Sequence, residues 1–142
     1  MRAAAAFRAA AVLNLLLAAG HTYGFLSLRP PTPEARAVRA AMDDVHFAVG
    51  SHSYSFGGFY VGFGLFVAAA FLLLGWLCWT LAGLVRSAPR VVPLIGWPLV
   101  VFYAASAILS LVYFALPPVL FSTVIGLALA RASWVVRTEG AA

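Results

Sequence analysis

The chain has 142 residues, of which 64 % are hydrophobic and only 9 % charged, whereas a soluble domain is roughly 45–50 % apolar and about a quarter charged. That balance fits one domain immersed in lipid and excludes both intrinsic disorder and an ordinary water-soluble enzyme. The formal net charge is +5, but the basic residues, all arginine, stand in ones and twos at the ends of apolar runs, without the basic stripe of a nucleic-acid binder; the single Cys78 excludes an intrachain disulfide, a thiolate zinc cluster and a haem-attachment motif.

A membrane-crossing helix needs about 20 apolar residues. The uncharged run 9–28 predicts a first span over 7–28. Arg2 and Arg8, followed by Ala18-Ala19-Gly20, also resemble a signal peptide with a small-residue cleavage site. The apolar run continues past that site to a full membrane thickness, so an uncleaved span is expected. Pro30-Pro31 stops this segment. Thr32-Pro33-Glu34 then reads as a helix start, with Thr as N-cap, Pro at the first helical position and Glu at the positive dipole end. Val38, Ala41, Met42, Val45 and Val49 follow at helical spacing. They predict a short amphipathic surface helix over 33–49, ended by Gly50, with 51–57 a polar re-entry segment. Arg39 and Asp43 stand one turn apart and can pair.

The dense apolar run 63–81 predicts a second span over 58–84. The uncharged stretch 91–130 is too long for one crossing, and Pro117-Pro118 divides it into spans over 91–114 and 118–136. Arg131 lies close enough to the end of the last span to snorkel to the interface. The expected fold is all-α: a single integral membrane domain, a four-helix transmembrane bundle with a short amphipathic helix between spans 1 and 2. Arg2, Arg8, Arg86, Arg90, Arg131 and Arg137 fall on one side of such a bundle and only Arg29, Arg36 and Arg39 on the other. The excess of positive charge places both termini in the cytoplasm. Alanine- and arginine-heavy usage suggests a bacterial inner membrane.

The polar and titratable residues gather at the outer end. An ionisable side chain within a span is costly and is by default a functional hypothesis, which singles out His21. Its plainer use is a hydrogen bond to a neighbouring carbonyl or tyrosine. In the candidate acid/base set His21 is the general acid or base, Asp43 or Asp44 orients it or shares the proton, and Tyr60 donates. His46, His52, Phe59, Phe63 and Tyr113 are the expected ligand-binding residues. Asp43, Asp44 and His46 lack a tight zinc signature such as HExxH, so no metal and no cofactor is expected. Gly20 with Gly24, and Gly58 with Gly62, form GxxxG pairs at one depth and predict close packing of the first two spans beside His21, a homodimer contact being the rival use. Gly57, Gly58, Gly62 and Gly64 interleave with Phe56, Phe59, Phe63 and Phe66, a mix suited to a flat apolar slot for a lipid tail or an isoprenoid, or, more plainly, to core packing. Asn14, Tyr103 and Ser106 are expected to hydrogen-bond between helices.

The acids Glu34, Asp43, Asp44 and Glu139 all lie outside the spans, which argues against a proton-coupled exporter. No channel filter or charged ring is visible, and no phosphate loop, nucleophile elbow or dinucleotide fingerprint occurs. At 16–24 (LLAAGHTYG) and 57–63 (GGFYVGF) the chain resembles a group of small bacterial four-span membrane proteins, DoxX-like in layout. The resemblance implies the four-span fold and a membrane location. In that group an acidic residue precedes the Phe-Tyr pair, where this chain has Gly58. Two functional readings follow. One is a non-catalytic bundle that binds a lipophilic molecule, a membrane lipid or a protein partner at its outer-leaflet end, as a monomer or a homo-oligomer. The other is a membrane-embedded acid/base enzyme acting on an isoprenoid, quinone or polyketide-like substrate.

Overall fold

A computed structural model describes residues 2–139. Its helices are α1 (Arg2–Leu26), α2 (Pro33–Asp44), α3 (Phe56–Ser87), α4 (Val91–Tyr113) and α5 (Leu116–Glu139), with a hairpin of β1 (His46–Val49) and β2 (His52–Ser55) between α2 and α3. Of these, α1, α3, α4 and α5 are long and apolar enough to cross a membrane. Apart from the hairpin, the helical architecture expected from sequence is present, with four helices able to span a membrane and a short helix between the first two.

Besides α1, which starts five residues before and ends two residues before the expected 7–28, the details differ from the expectation in three places. The surface helix stops at Asp44, five residues before the expected Val49. Asp43 and Asp44 set negative charge at the negative end of the helix dipole, and Val45 turns to extended backbone. The residues expected to continue the helix form the hairpin instead. Second, Pro117 and Pro118 lie inside the first turn of α5, where a missing N–H is no loss. Third, α3 reaches from Phe56 to Ser87, two residues before the expected start at 58 and three beyond the expected end at 84.

The chain divides into two compact units, Met1–Leu17 with Phe71–Ala142, and Ala18–Ala70. In the first, α4 and α5 run antiparallel. A Cβ at Gly96 would overlap the Ser133 hydroxyl, one at Gly126 would stand 3.3 Å from Tyr103, and Ser106 bonds Ser122 at 3.0 Å. The start of α1 lies antiparallel along the later part of α3: a Cβ at Gly75 would come within 3.3 Å of the Ala11 carbonyl oxygen, and the Arg8 guanidinium sits 5.9 Å from the Trp79 ring centroid. Phe7, Leu81, Val92, Tyr103, Ile125 and Leu129 form the centre of this core. Trp76, Trp79 and Trp134 remain exposed, as rings facing lipid near an interface do, and Arg131 is exposed on α5.

The second unit holds the end of α1, all of α2, the hairpin and the start of α3. Thr32 Oγ1 accepts from Ala35 N–H at 3.2 Å, capping α2. A backbone N–H at this helix start, with help from Thr32, holds the Glu34 carboxyl below its ordinary pKa. Ser55 Oγ accepts from Gly58 N–H at 3.0 Å and caps α3 in the same way. Between them Val49 pairs with His52 across Gly50-Ser51. Gly50 has φ +61 and no described non-glycine residue has positive φ, the signature of a type II′ hairpin turn.

Candidate functional site

Three small assemblies occupy the second unit. The first joins α1 to α3. His21 Nε2 hydrogen-bonds the Gly64 carbonyl at 3.1 Å, and the Phe25 ring lies against Gly64, where a Cβ would meet it at 2.8 Å. The Phe25 ring stands 5.2 Å from that of His21 and 6.4 Å from that of Tyr60. His21 and Tyr60 therefore flank one phenylalanine where the end of α1 meets the start of α3. The first two spans touch beside His21, as the sequence suggests, but the glycine at the contact is Gly64.

The GxxxG glycines are used otherwise. A Cβ at Gly20, Gly24 or Gly62 would meet nothing within 4 Å, and one at Gly58 would meet only the Ser55 hydroxyl. Among the described residues, no helix-to-helix close approach occurs at these four positions. Glycine spacing fixes which residues share a face, while the rotation of each helix decides which face meets its neighbour.

The second assembly ties α2 to α3. Arg39 Nε lies 3.4 Å from Asp43 Oδ2, and its guanidinium sits 5.4 Å from the Tyr60 ring centroid. Gly57 is buried against Asp43, whose carboxylate a Cβ would overlap. Asp43 and Tyr60 are thus both neighbours of Arg39. The ion pair is largely solvated and worth only a few tenths of a kcal/mol. Asp44 is exposed, and its backbone carbonyl accepts from His46 Nδ1 at 2.8 Å.

The third assembly is an aromatic slot on α3. Ser55, Gly58, Phe59, Gly62, Phe63 and Phe66 recur at helical spacing on one face and, with Tyr54, line a cavity of about 500 Å³. Gly58 and Gly62 form its floor. From 58 to 66 the slot runs about 12 Å along the helix. Phe47 closes one end, with its ring 5.8 Å from Phe59, 4.9 Å from Phe56 and 6.2 Å from Tyr54; Phe59 and Phe63 follow at 4.7 Å. The wall is almost wholly apolar, yet Phe59, Phe63 and Phe66 are 52, 56 and 71 % exposed.

Of the expected ligand-binding residues, Phe59 and Phe63 line this slot. His46 and His52 lie on the hairpin strands; His52 stacks on Tyr54 at 6.2 Å, with Nδ1 3.3 Å from Ser51 Oγ. Tyr113 ends α4, in the other unit, with its ring exposed. Tyr54 and Ser55 are the slot residues that pattern reading missed, together with Phe47, which packs on the slot's Phe59 and Tyr54 from the hairpin. The signal for them was the two-residue Gly50-Ser51 break between Val49 and His52. Among the described residues, no three His, Cys, Asp or Glu side chains converge to hold a metal. Comparison with protein-family models, curated proteins and solved structures finds no match.

Proposed function

We propose that the protein is a multi-pass protein of a bacterial inner membrane, with both termini cytoplasmic, that binds a lipophilic molecule in the α3 slot at the outer-leaflet end. The observation that carries this reading is the cavity of about 500 Å³, within the roughly 300–1,000 Å³ of small-molecule sites. Two glycines in helical register remove side chains from a face otherwise lined with phenylalanine, leaving a trough in which a flexible chain can lie. An isoprenoid or acyl chain matches its apolar wall and its length. Tyr54 and Ser55 line one end, where a polar terminus of the ligand would sit. His21, on the Gly64 carbonyl, serves in this reading to hold α1 to α3.

Gly62→Leu tests it. A Cβ there meets no other group, and Leu is the better helix former by about 0.5–1 kcal/mol, so the variant folds while its side chain fills the trough. Mass spectrometry of lipids extracted from purified protein is expected to show a wild-type ligand reduced at least tenfold in Gly62→Leu. The same lipids in the same amounts from both proteins would refute the reading.

A further inference from the structure

We infer a second, chemically different site in the other unit: a cavity in which Arg90 and Arg137 grip the phosphate headgroup of an anionic membrane lipid. The cavity, of about 490 Å³, lies where the turn between α3 and α4 meets the end of α5, and Pro93, Leu94, Trp97 and Val136 complete its wall. Both arginines are exposed. The ion pair among the described residues is Arg39–Asp43, in the other unit, so Arg90 and Arg137 have no carboxylate partner there. The surrounding charge is one-sided. Of the four acids in the chain only Glu139 belongs to this unit, against Arg2, Arg8, Arg86, Arg90, Arg131 and Arg137.

Two guanidiniums facing one cavity suit a phosphate, which each can meet with paired N–H donors. The depth favours a lipid over a free anion. Arg90 precedes the first residue of α4, whereas Trp97 lies six residues past Val91, about 9 Å further along the axis. The cavity therefore runs from the headgroup level into the hydrocarbon margin, with cations at one end and Leu94 and Trp97 at the other. A phosphate would occupy the first and the glycerol and upper acyl carbons the second. Basic cavities between membrane helices are recurrent sites for anionic headgroups. Trp97, which lines the cavity, has its indole Nε1 shielded and without an acceptor among the described residues.

The test titrates the delipidated full chain, in neutral detergent, with dioleoylphosphatidylglycerol, dioleoylphosphatidylcholine or inorganic phosphate. Bound lipid is counted by native mass spectrometry, and the thermal midpoint is read with each lipid and with phosphate. Phosphatidylglycerol is expected to bind about tenfold more tightly than phosphatidylcholine. Inorganic phosphate at the same concentration is expected to leave the midpoint unmoved. Arg90→Gln/Arg137→Gln should abolish the preference, and Arg86→Gln, nearby but outside the cavity, should keep it. Equal binding of the two lipids by the wild type would overturn the proposal without reference to any variant. Stabilisation by inorganic phosphate as large as by phosphatidylglycerol would overturn the lipid as the source of the phosphate, and an equal loss in Arg86→Gln would overturn the location.

Discussion

The Tyr103 hydroxyl donates to the Asn14 side-chain oxygen, linking α4 to α1 between two residues that are each 0 % exposed. Asn14 Nδ2 in turn donates to the Ala10 carbonyl at 2.9 Å. Polar bonds between membrane helices contribute about 0.6 kcal/mol on average and up to about 1.7. Tyr103→Phe and Asn14→Leu should each cost about 1 kcal/mol or more, because each strands a buried partner. The double variant should cost clearly less than the two together. Unfolding in mixed micelles measures all three, and strictly additive losses would contradict the bond.

Ser133 presents the opposite case. Its hydroxyl is buried on α5 with no hydrogen-bond partner among the described residues and faces Gly96 on α4. A stranded hydroxyl costs about 1–3 kcal/mol in proteins. Ser133→Ala should therefore stabilise the fold by about 1 kcal/mol, visible as a higher unfolding midpoint. A lower midpoint would mean that the hydroxyl has an acceptor.

Gly57 is the point at which α2 approaches α3. Gly57→Ala should push the Asp43 carboxylate aside and strain the Asp43 backbone, whose Cα would lie 3.3 Å from the new Cβ. Overpacking of this kind costs about 1–3 kcal/mol. The expected consequence is local: faster tryptic cleavage after Arg36 and Arg39, with α4 and α5 unaffected. Unchanged cleavage would show that α2 is held by other contacts.

The hairpin depends on Gly50. At φ +61 a side chain is strained by about 1–2 kcal/mol. Gly50→Ala should raise amide hydrogen exchange across 46–55 by roughly tenfold, since about 1.4 kcal/mol is a factor of ten. The Phe47 ring would be released from the end of the slot at the same time. Exchange equal to that of the wild type would contradict the turn.

The four long helices were legible because lipid imposes a coarse code. Arginines bound the apolar runs, and Pro117-Pro118 divides the longest one. The start of α2 was legible for a similarly local reason, since Thr32 and Pro33 act within one turn. Its end was not. Val45 and Val49 continue the helical period, and only the acids at 43 and 44 and the Gly50-Ser51 turn argue for a hairpin. The slot residues Phe59 and Phe63 could be read from glycine and phenylalanine spacing along one helix. The contacts at Gly64, Gly57 and Gly96 could not, because they depend on how one helix is rotated against another. The same is true of Arg39, whose position over Tyr60 joins residues that sequence had assigned to an acid/base set.

The most direct test of the central claim is a photoaffinity experiment with a diazirine-bearing isoprenoid alcohol, added to the protein in bilayers and mapped by peptide sequencing. Binding in the slot predicts labelling concentrated on α3 at Phe59, Phe63 and Phe66, competed by unlabelled alcohol and lost in Gly62→Leu. Labelling spread evenly over other exposed apolar positions, such as Val101, Leu111 and Leu127, and indifferent to competitor, would identify the slot as ordinary lipid-facing surface and contradict the account.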